Sequence, residues 1–335
     1  MSDVTLASHA AVRPARKGVS RGALSRLGLG AGLAWLGLAG ATALLPEAGD
    51  FERTQDFAAI AGVIGFAIAA ATLLGLRSSG LARRLRYGAP WLVALALFFL
   101  VWELVTAKYQ RLPMPFFPPP QAILEVFLDD GARLADSVWH SLLLLVVGYA
   151  VGATLGFVLG VAVGWSVLVG YWAHPILRFV GPLPATAWLP IAFFIFPSSW
   201  SASTALIALA TAFPVTVLTW SGIASVNKGF YDVARTLGAK QSFLILRVAI
   251  PAALPHVFVG LFMGLSGSFA VLVVAEMLGV KSGLGWYLQW AQGWAAYANM
   301  YAALIVMAVL CSSLITGLFR LRAYLLSWQK GLVQW

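Results

Sequence analysis

The 335-residue sequence predicts an all-α polytopic membrane protein, and three observations carry the prediction. Hydrophobic residues make up 61% of the chain and charged residues only 10%, where a soluble domain carries about a quarter charged residues. Apolar runs of about 20 residues recur along it, and at ~1.5 Å rise per residue such a run crosses a bilayer core of roughly 30 Å. The runs are continuous, unlike the short segments of alternating polarity that build a membrane β-barrel.

The first 26 residues form a basic tail with Arg13, Arg16, Lys17, Arg21 and Arg26. An apolar run follows at 27–45. It is long for the core of a cleaved signal peptide and is soon followed by another, so it reads as an uncleaved first span. Eight spans are expected, at about 27–45, 57–76, 89–106, 138–165, 174–196, 203–224, 256–278 and 299–319. The 46–56 connector is acidic (Glu47, Asp50, Glu52, Asp56), whereas the 77–88 connector carries Arg77, Arg83, Arg84 and Arg86. The 225–255 connector and the C-terminal tail are basic too. Alternating eight spans from a cytoplasmic N-terminus puts every Lys/Arg-rich connector inside and leaves both termini cytoplasmic. The formal net charge of +10 therefore reports topology and not nucleic-acid binding. The single cysteine, Cys311, excludes an internal disulfide.

Within this frame four stretches stand out. The 107–137 connector holds FFPPPQ, whose prolines force an extended or turning path, and then a stretch suited to a short amphipathic helix on the outer surface. Gly148, Gly152, Gly156, Gly160 and Gly164 recur at a spacing of four, which puts them on one helix face where another helix can approach closely. Pro175, Pro182, Pro184, Pro190 and Pro197 fall in 23 residues, and Pro214 interrupts the next apolar run. Both spans are expected to be broken, and breaks of this kind face protein or a water-lined path.

The fourth stretch is a polar island. Between Ser137 and Phe319 there are eight charges, and five of them (Lys228, Asp232, Arg235, Lys240 and Arg247) lie within 20 residues. Val226, Phe230, Val233 and Leu237 recur at +4, +3 and +4, the apolar stripe of one helix. Gly238 follows where a helix C-terminus favours glycine. Phe243, Leu244 and Leu246 begin a second apolar set limited by Pro251 and Pro255. Two short cytoplasmic helices joined by a glycine turn suit docking into a groove of another protein. Attraction to anionic lipid is the competing reading.

The pattern Asp232-Val233-Ala234-Arg235-Thr236-Leu237-Gly238, nine residues, then Val248-Ala249-Ile250-Pro251 resembles the EAA loop of ABC importer permeases, with Asp for Glu, Val for Ala, Val for Ile and Ile for Leu. The resemblance covers about 89–328. Within it PLPATAWLPIAFFIF, VVAEML and GLGWYL resemble the subgroup importing nitrate, aliphatic sulfonates and taurine. That subgroup usually has a Gly-rich turn where this chain has FPSSWSAS.

The resemblance implies a type I importer permease core of about six helices over 89–328, with coupling loop 225–255. Two extra N-terminal helices (27–88) precede it, and cytoplasmic tails lie at 1–26 and 329–335. It implies that Asp232, Val233, Ala234, Arg235, Leu237, Gly238, Ala239, Val248 and Pro251 couple the permease to a cytoplasmic ATP-binding subunit in the bacterial inner membrane. A second permease chain, most simply a copy, and an external solute-binding protein complete the transporter. The chain lacks GxxxxGK[ST], so ATP is expected to be used by the partner and no cofactor to be bound here.

Candidate residues of the translocation path are Arg178, Pro182, Trp188, Pro190 and Glu276. Arg178 suits an anion but also a positive-inside anchor. Glu276 needs a partner in its apolar surroundings, either Lys281 or a backbone donor; a gate or packing lock is the functional reading. No HExxH, GxGD or GxSxG occurs, and His9, His140, His174 and His256 have no ligand-like spacing, which argues against an intramembrane enzyme and a metal site. A channel or secondary transporter would need no such island, and an importer of another solute would differ only along the path.

Overall fold

A computed structural model of the chain describes residues 21–73 and 80–329. The expectations that fall on 1–20, 74–79 and 330–335 lie outside the described residues. The described chain is helical, and it divides into two compact units, Met1–Leu124 and Glu125–Trp335.

The first unit contains α1 (Arg21–Leu44), α2 (Thr54–Leu73) and α3 (Gly80–Glu103), which ends in a wide π-turn, Leu104–Lys108. Small residues set the spacing of the α1–α2 hairpin. A Cβ at Gly32 would lie 3.1 Å from the Gly65 carbonyl oxygen and 3.0 Å from the Ala69 nitrogen. Around that seam Ala31, Trp35, Leu38, Ala61, Ile68 and Ala96 form a buried core. Trp35 Nε1 donates to the Leu92 carbonyl at 3.1 Å, so the indole is buried without losing its hydrogen bond.

The 107–137 connector forms α4 (Pro120–Asp129), and α5 (Gly131–Trp165) starts directly after it. The expected amphipathic helix is therefore shorter than its sequence pattern, because residues 131–137 are already the first turns of α5. With 35 residues α5 is about 52 Å long, well beyond a bilayer core.

The centre of the second unit is α8 (Ser199–Ala224), packed between α5 and α11 (Ile250–Leu278). All five expected glycines of α5 face α8. A Cβ at Gly156 would lie 2.6 Å from the Ala212 carbonyl oxygen, and one at Gly160 2.6 Å from Thr219 Cβ. From the other side Gly260 of α11 faces Val215 Cα (3.0 Å) and Gly264 faces Thr211 Cγ2 (3.1 Å). Thr211 Oγ1 donates to the Ile207 carbonyl and shares a hydrogen bond with Ser268 Oγ of α11. In lipid, where apolar burial adds little between helices, such close backbone approach and shared hydroxyl bonds hold helices together.

Among the described residues seven helices are long and apolar enough to cross a membrane, or eight if one bent pair is counted as a span. The expected 174–196 span is broken as its prolines predict, into α6 (Val167–Val180) and α7 (Leu189–Ile195), joined through a 3-10 turn at Ala185–Trp188 and turned by 88°. The second expected break is absent: α8 runs continuously through Pro214. A helical proline costs one N–H bond and one carbonyl partner. Packing of α8 along its length on α5 and α11 keeps it continuous through that defect.

The island also differs in one respect. Its first helix is α9 (Lys228–Thr236), but the second does not stop at Pro251. A short α10 (Gln241–Phe243) passes through a π-turn, Leu244–Ala249, into α11, giving one span from Gln241 to Leu278. Pro251 sits at the start of α11, and the widened turn before it accommodates the missing N–H. A short helix α12 (Leu284–Gly293), not expected from the sequence, and α13 (Tyr297–Leu325) complete the unit.

Candidate functional site

The island is built by two local devices. Asn227 caps α9, its Oδ1 accepting the Gly229 N–H at 2.9 Å. At the other end Gly238 has φ +81°, the left-handed conformation. The Ala239 N–H bonds the Ala234 carbonyl and the Gly238 N–H that of Arg235, which together form a Schellman turn. The turn reverses the chain into α10 and places Leu237, Gly238 and Phe243 side by side.

The consequence is an uncovered apolar surface. Phe230 and Val233 are each 62% exposed and Leu237 is 83% exposed. With Ala234, Gly238 and Phe243 they line a groove of about 570 Å³. Asp232 and Arg235 pair at 3.6 Å on its flank, both well exposed. Ala239, Val248 and Pro251 are partly covered, at the turn and in the following helix. One aromatic points the other way. Tyr231 packs beside Trp165, and burial pushes its phenol above the ordinary range.

The path candidates fall in two places. Arg178 ends α6, exposed, and Pro182 lies exposed in the bend. Pro190 opens α7, and Trp188 is half-buried in the 3-10 turn, its Nε1 buried without a partner. Glu276 is elsewhere, near the end of α11 and 1% exposed. Its Oε2 accepts the Ser141 hydroxyl at 2.9 Å and the Gly285 N–H at 2.8 Å, while Ser141 Oγ accepts the Leu284 N–H at 2.8 Å. Of the two expected partners the backbone donor is present, and Lys281 is exposed. A carboxylate at the N-terminus of α12 meets free N–H groups and the positive end of the helix dipole. Gly283, at φ +100°, leaves the room this needs, because a Cβ there would run into the Glu276 carboxylate.

Two polar networks were not anticipated. Tyr287 of α12 is fully buried; its hydroxyl donates to Asp130 Oδ2 at 2.6 Å and accepts from Asn299 Nδ2 at 2.7 Å. Burial first, and Asp130 second, push this phenol above its ordinary range. Arg133 pairs with Asp130 at 3.8 Å and lies 5.0 Å over the Trp290 ring. In the first unit, Lys108 Nζ donates to the Thr42 and Leu45 carbonyls (2.8 and 3.0 Å) and to Glu47 Oε1 (3.2 Å). It also pairs with buried Glu103 at 3.7 Å, and Gln121 donates to Glu103 at 3.2 Å. The charges of Glu103 and Lys108 at the end of an apolar run were the available signal. The long sequence separation of their partners hid the rest.

Residues 152–330, more than half of the chain, match the model of the binding-protein-dependent transport system inner membrane component family. The chain belongs to that family. The permease is 31% identical over 241 residues to the taurine transport system permease protein TauC of Escherichia coli, covering 70% of this chain and 87% of TauC. It is 28% identical over 217 residues to the nitrate import permease protein NrtB of Synechococcus elongatus, covering 62% of this chain and 76% of NrtB. Among solved structures, an inward-facing MetNI methionine ABC transporter chain aligns with TM-score 0.50 at 16% identity, covering 58% of the permease and 96% of that chain. That likeness supports the fold, an importer-type permease core preceded by an additional helical hairpin.

Proposed function

We propose that the permease forms the membrane half of an ATP-driven importer for a small anion of the nitrate, sulfonate or taurine type, and that a separate cytoplasmic subunit hydrolyses the ATP. The observation that carries the coupling half is the uncovered stripe Phe230, Val233 and Leu237 on a helix fixed at both ends. An apolar stripe of this size on a polar, basic island is stable in water only when a partner covers it. The occupant is the cleft of the ATP-binding subunit, apolar within and acidic at its rim to match Lys228, Arg235, Lys240 and Arg247. Asp232, Ala234, Gly238, Ala239, Val248 and Pro251 keep the shape of this knob.

The substrate class rests on the relatives named for taurine and nitrate. The path runs along the α6–α7 bend, where the broken helix presents backbone groups and where Arg178, Pro182, Trp188 and Pro190 gather. Glu276 locks the outer end of the bundle and does not bind the anion, because a carboxylate repels it. One island per chain implies two permease chains, most simply two copies. An external binding protein delivers the substrate, and ATP stays on the partner. The permease lies in the inner membrane with both termini in the cytoplasm.

The test is purification of the chain from its native membranes in mild detergent, with mass spectrometry of what it retains. A stoichiometric protein bearing GxxxxGK[ST], lost when residues 232–238 are deleted, is expected. A chain that purifies alone in several detergents would refute the reading and favour an ATP-independent channel or transporter.

A further inference from the structure

The island has two faces, and only one of them is accounted for by docking. In α9 every residue is exposed except Tyr231 and Ala234. Tyr231 is adjacent in sequence to Phe230, so its side chain leaves the helix about 100° away from it. Its ring meets Trp165, the last residue of α5, edge to face at 5.8 Å and 69°. The same cluster contains Ile223 from the end of α8, Ala249 from the π-turn and Ala253 from the start of α11, with Val161 of α5 beside them. One aromatic ring of the island therefore packs into a cluster drawn from the ends of all three helices of the central layer. The Tyr231 hydroxyl is buried and has no hydrogen-bond partner, so what the site uses is the ring and not the oxygen.

Apart from this ring, α9 approaches the π-turn Leu244–Ala249 and is otherwise joined to the bundle by its two chain connections. One is the turn at Ser225–Asn227 and the other is the Schellman turn at Gly238. Turns of two or three residues bend easily. A push on the outer face of α9 would be absorbed there unless a packed side chain stiffened the attachment.

We propose that Tyr231 is the positioning residue through which force on the docking face of the island reaches α5, α8 and α11, by its seat against Trp165. This rests on the coupling role proposed above. It separates two functions within one helix: Phe230, Val233 and Leu237 hold the partner, and Tyr231 passes on its movement. The π-turn at Leu244–Ala249 sits where α10 runs into α11, beside the seat. It gives the island a place to flex once the seat is lost.

The experiment uses the complete complex with its ATP-binding subunit in nanodiscs. Cys311, the only cysteine, is replaced by Ser, and an environment-sensitive fluorophore is placed on L278C, at the far end of α11 where Leu278 is exposed. The probe is ATP with vanadate. Tyr231→Ala is expected to retain the ATP-binding subunit within twofold while the fluorescence response falls more than tenfold. Tyr231→Phe, which keeps the ring, should stay within twofold of the parent, and Trp165→Ala should reproduce the loss. Should Tyr231→Ala fail to insert, Tyr231→Leu takes its place with the same expectation. A full response in Tyr231→Ala overturns the proposal. So does loss of the ATP-binding subunit, because the tyrosine would then serve docking or folding. A parent complex that binds the subunit yet shows no response also overturns it. A parent chain that retains no ATP-binding subunit refutes the importer reading itself, and the two failures are thereby told apart.

Discussion

Gly156→Ala tests the packing on which the central layer depends. The added methyl would lie 2.6 Å from the Ala212 carbonyl oxygen, 2.9 Å from Val215 Cβ and 3.0 Å from Ala212 Cα. Ordinary contact begins at 3.4 Å, so α8 must retreat by about 0.8 Å at this point. Two of the three obstacles are backbone and cannot rotate away. A gap of that size forfeits about a quarter to a half of each neighbouring dispersion contact. Overpacking of this kind costs about 1–3 kcal/mol. With about 2 kcal/mol and a unit of this size, the apparent Tm falls by roughly 4–8 °C. Gly164→Ala is the internal control: its nearest obstacles are Ile223 side-chain atoms at 2.9 and 3.1 Å, while the backbone stands off at 3.4 Å. Ile223 Cβ moves only with its backbone, but it must retreat by about 0.5 Å to reach ordinary contact where Gly156→Ala needs about 0.8 Å, so the drop should be smaller. Unfolding can be followed by reaction of a thiol dye with Cys311, which is partly buried against the main core. A Gly156→Ala protein that melts with the parent, or a Gly164→Ala protein that melts lower than Gly156→Ala, would refute the reasoning.

Four further substitutions, at three positions, address other elements. Gly238→Val and Gly238→Asp separate backbone from contact: no atom lies within 4 Å of a Cβ there, but φ is +81°, which costs a branched residue about 1–2 kcal/mol and Asp less. Both should insert normally; Gly238→Asp should still cap α9 but lose coupled uptake through its charge on the docking groove, and normal uptake would argue against that groove. Glu276→Ala leaves the Gly285 N–H and the Ser141 hydroxyl without their acceptor, at about 1–3 kcal/mol for each donor left unpaired. It should raise hydrogen exchange in 283–286 above the parent's, a change absent from α9. Lys108→Met leaves Glu103 buried without its cation, a loss of about 3–5 kcal/mol when one partner of a buried pair is removed. Limited proteolysis should then cut the 46–56 connector faster, and an unchanged cleavage rate would show that Lys108 does not secure α1.

The sequence was informative wherever the signal was local. A spacing of four located the glycine face of α5, and the helix stripe followed by Gly238 located α9 and its turn. Proline was ambiguous for a physical reason. Five prolines in one short span removed too many donors for a straight helix, and the chain turns by 88° there. A single proline in α8 removes one, and neighbours on two sides hold the helix together. Pro251 misled in the same way, because the π-turn before it absorbs the defect and the helix runs on. Glu276 could be recognised as needing a partner, but Ser141 lies 135 positions away and cannot be found by spacing. Tyr231 was hidden for a simpler reason: an apolar-stripe reading looks for the face that partners cover and passes over the residue beside it.

The positions of Glu276 and Tyr231 have a joint consequence for how the bundle can move. Glu276 ties the C-terminal end of α11 to Ser141 near the start of α5, through the first residues of α12. Tyr231 packs at the opposite ends of the same two helices, against Trp165 of α5 and in one cluster with Ala249 of the π-turn and Ala253 at the start of α11. Between them α8 packs against glycines on both sides, where even one added Cβ would run into backbone atoms. Closely packed interfaces of this kind switch between discrete arrangements and do not deform gradually. A layer clasped at both ends and interlocked in the middle is expected to move as one lever, with relative motion falling to the elements outside the clasp, of which the α6–α7 bend has the broken backbone suited to it.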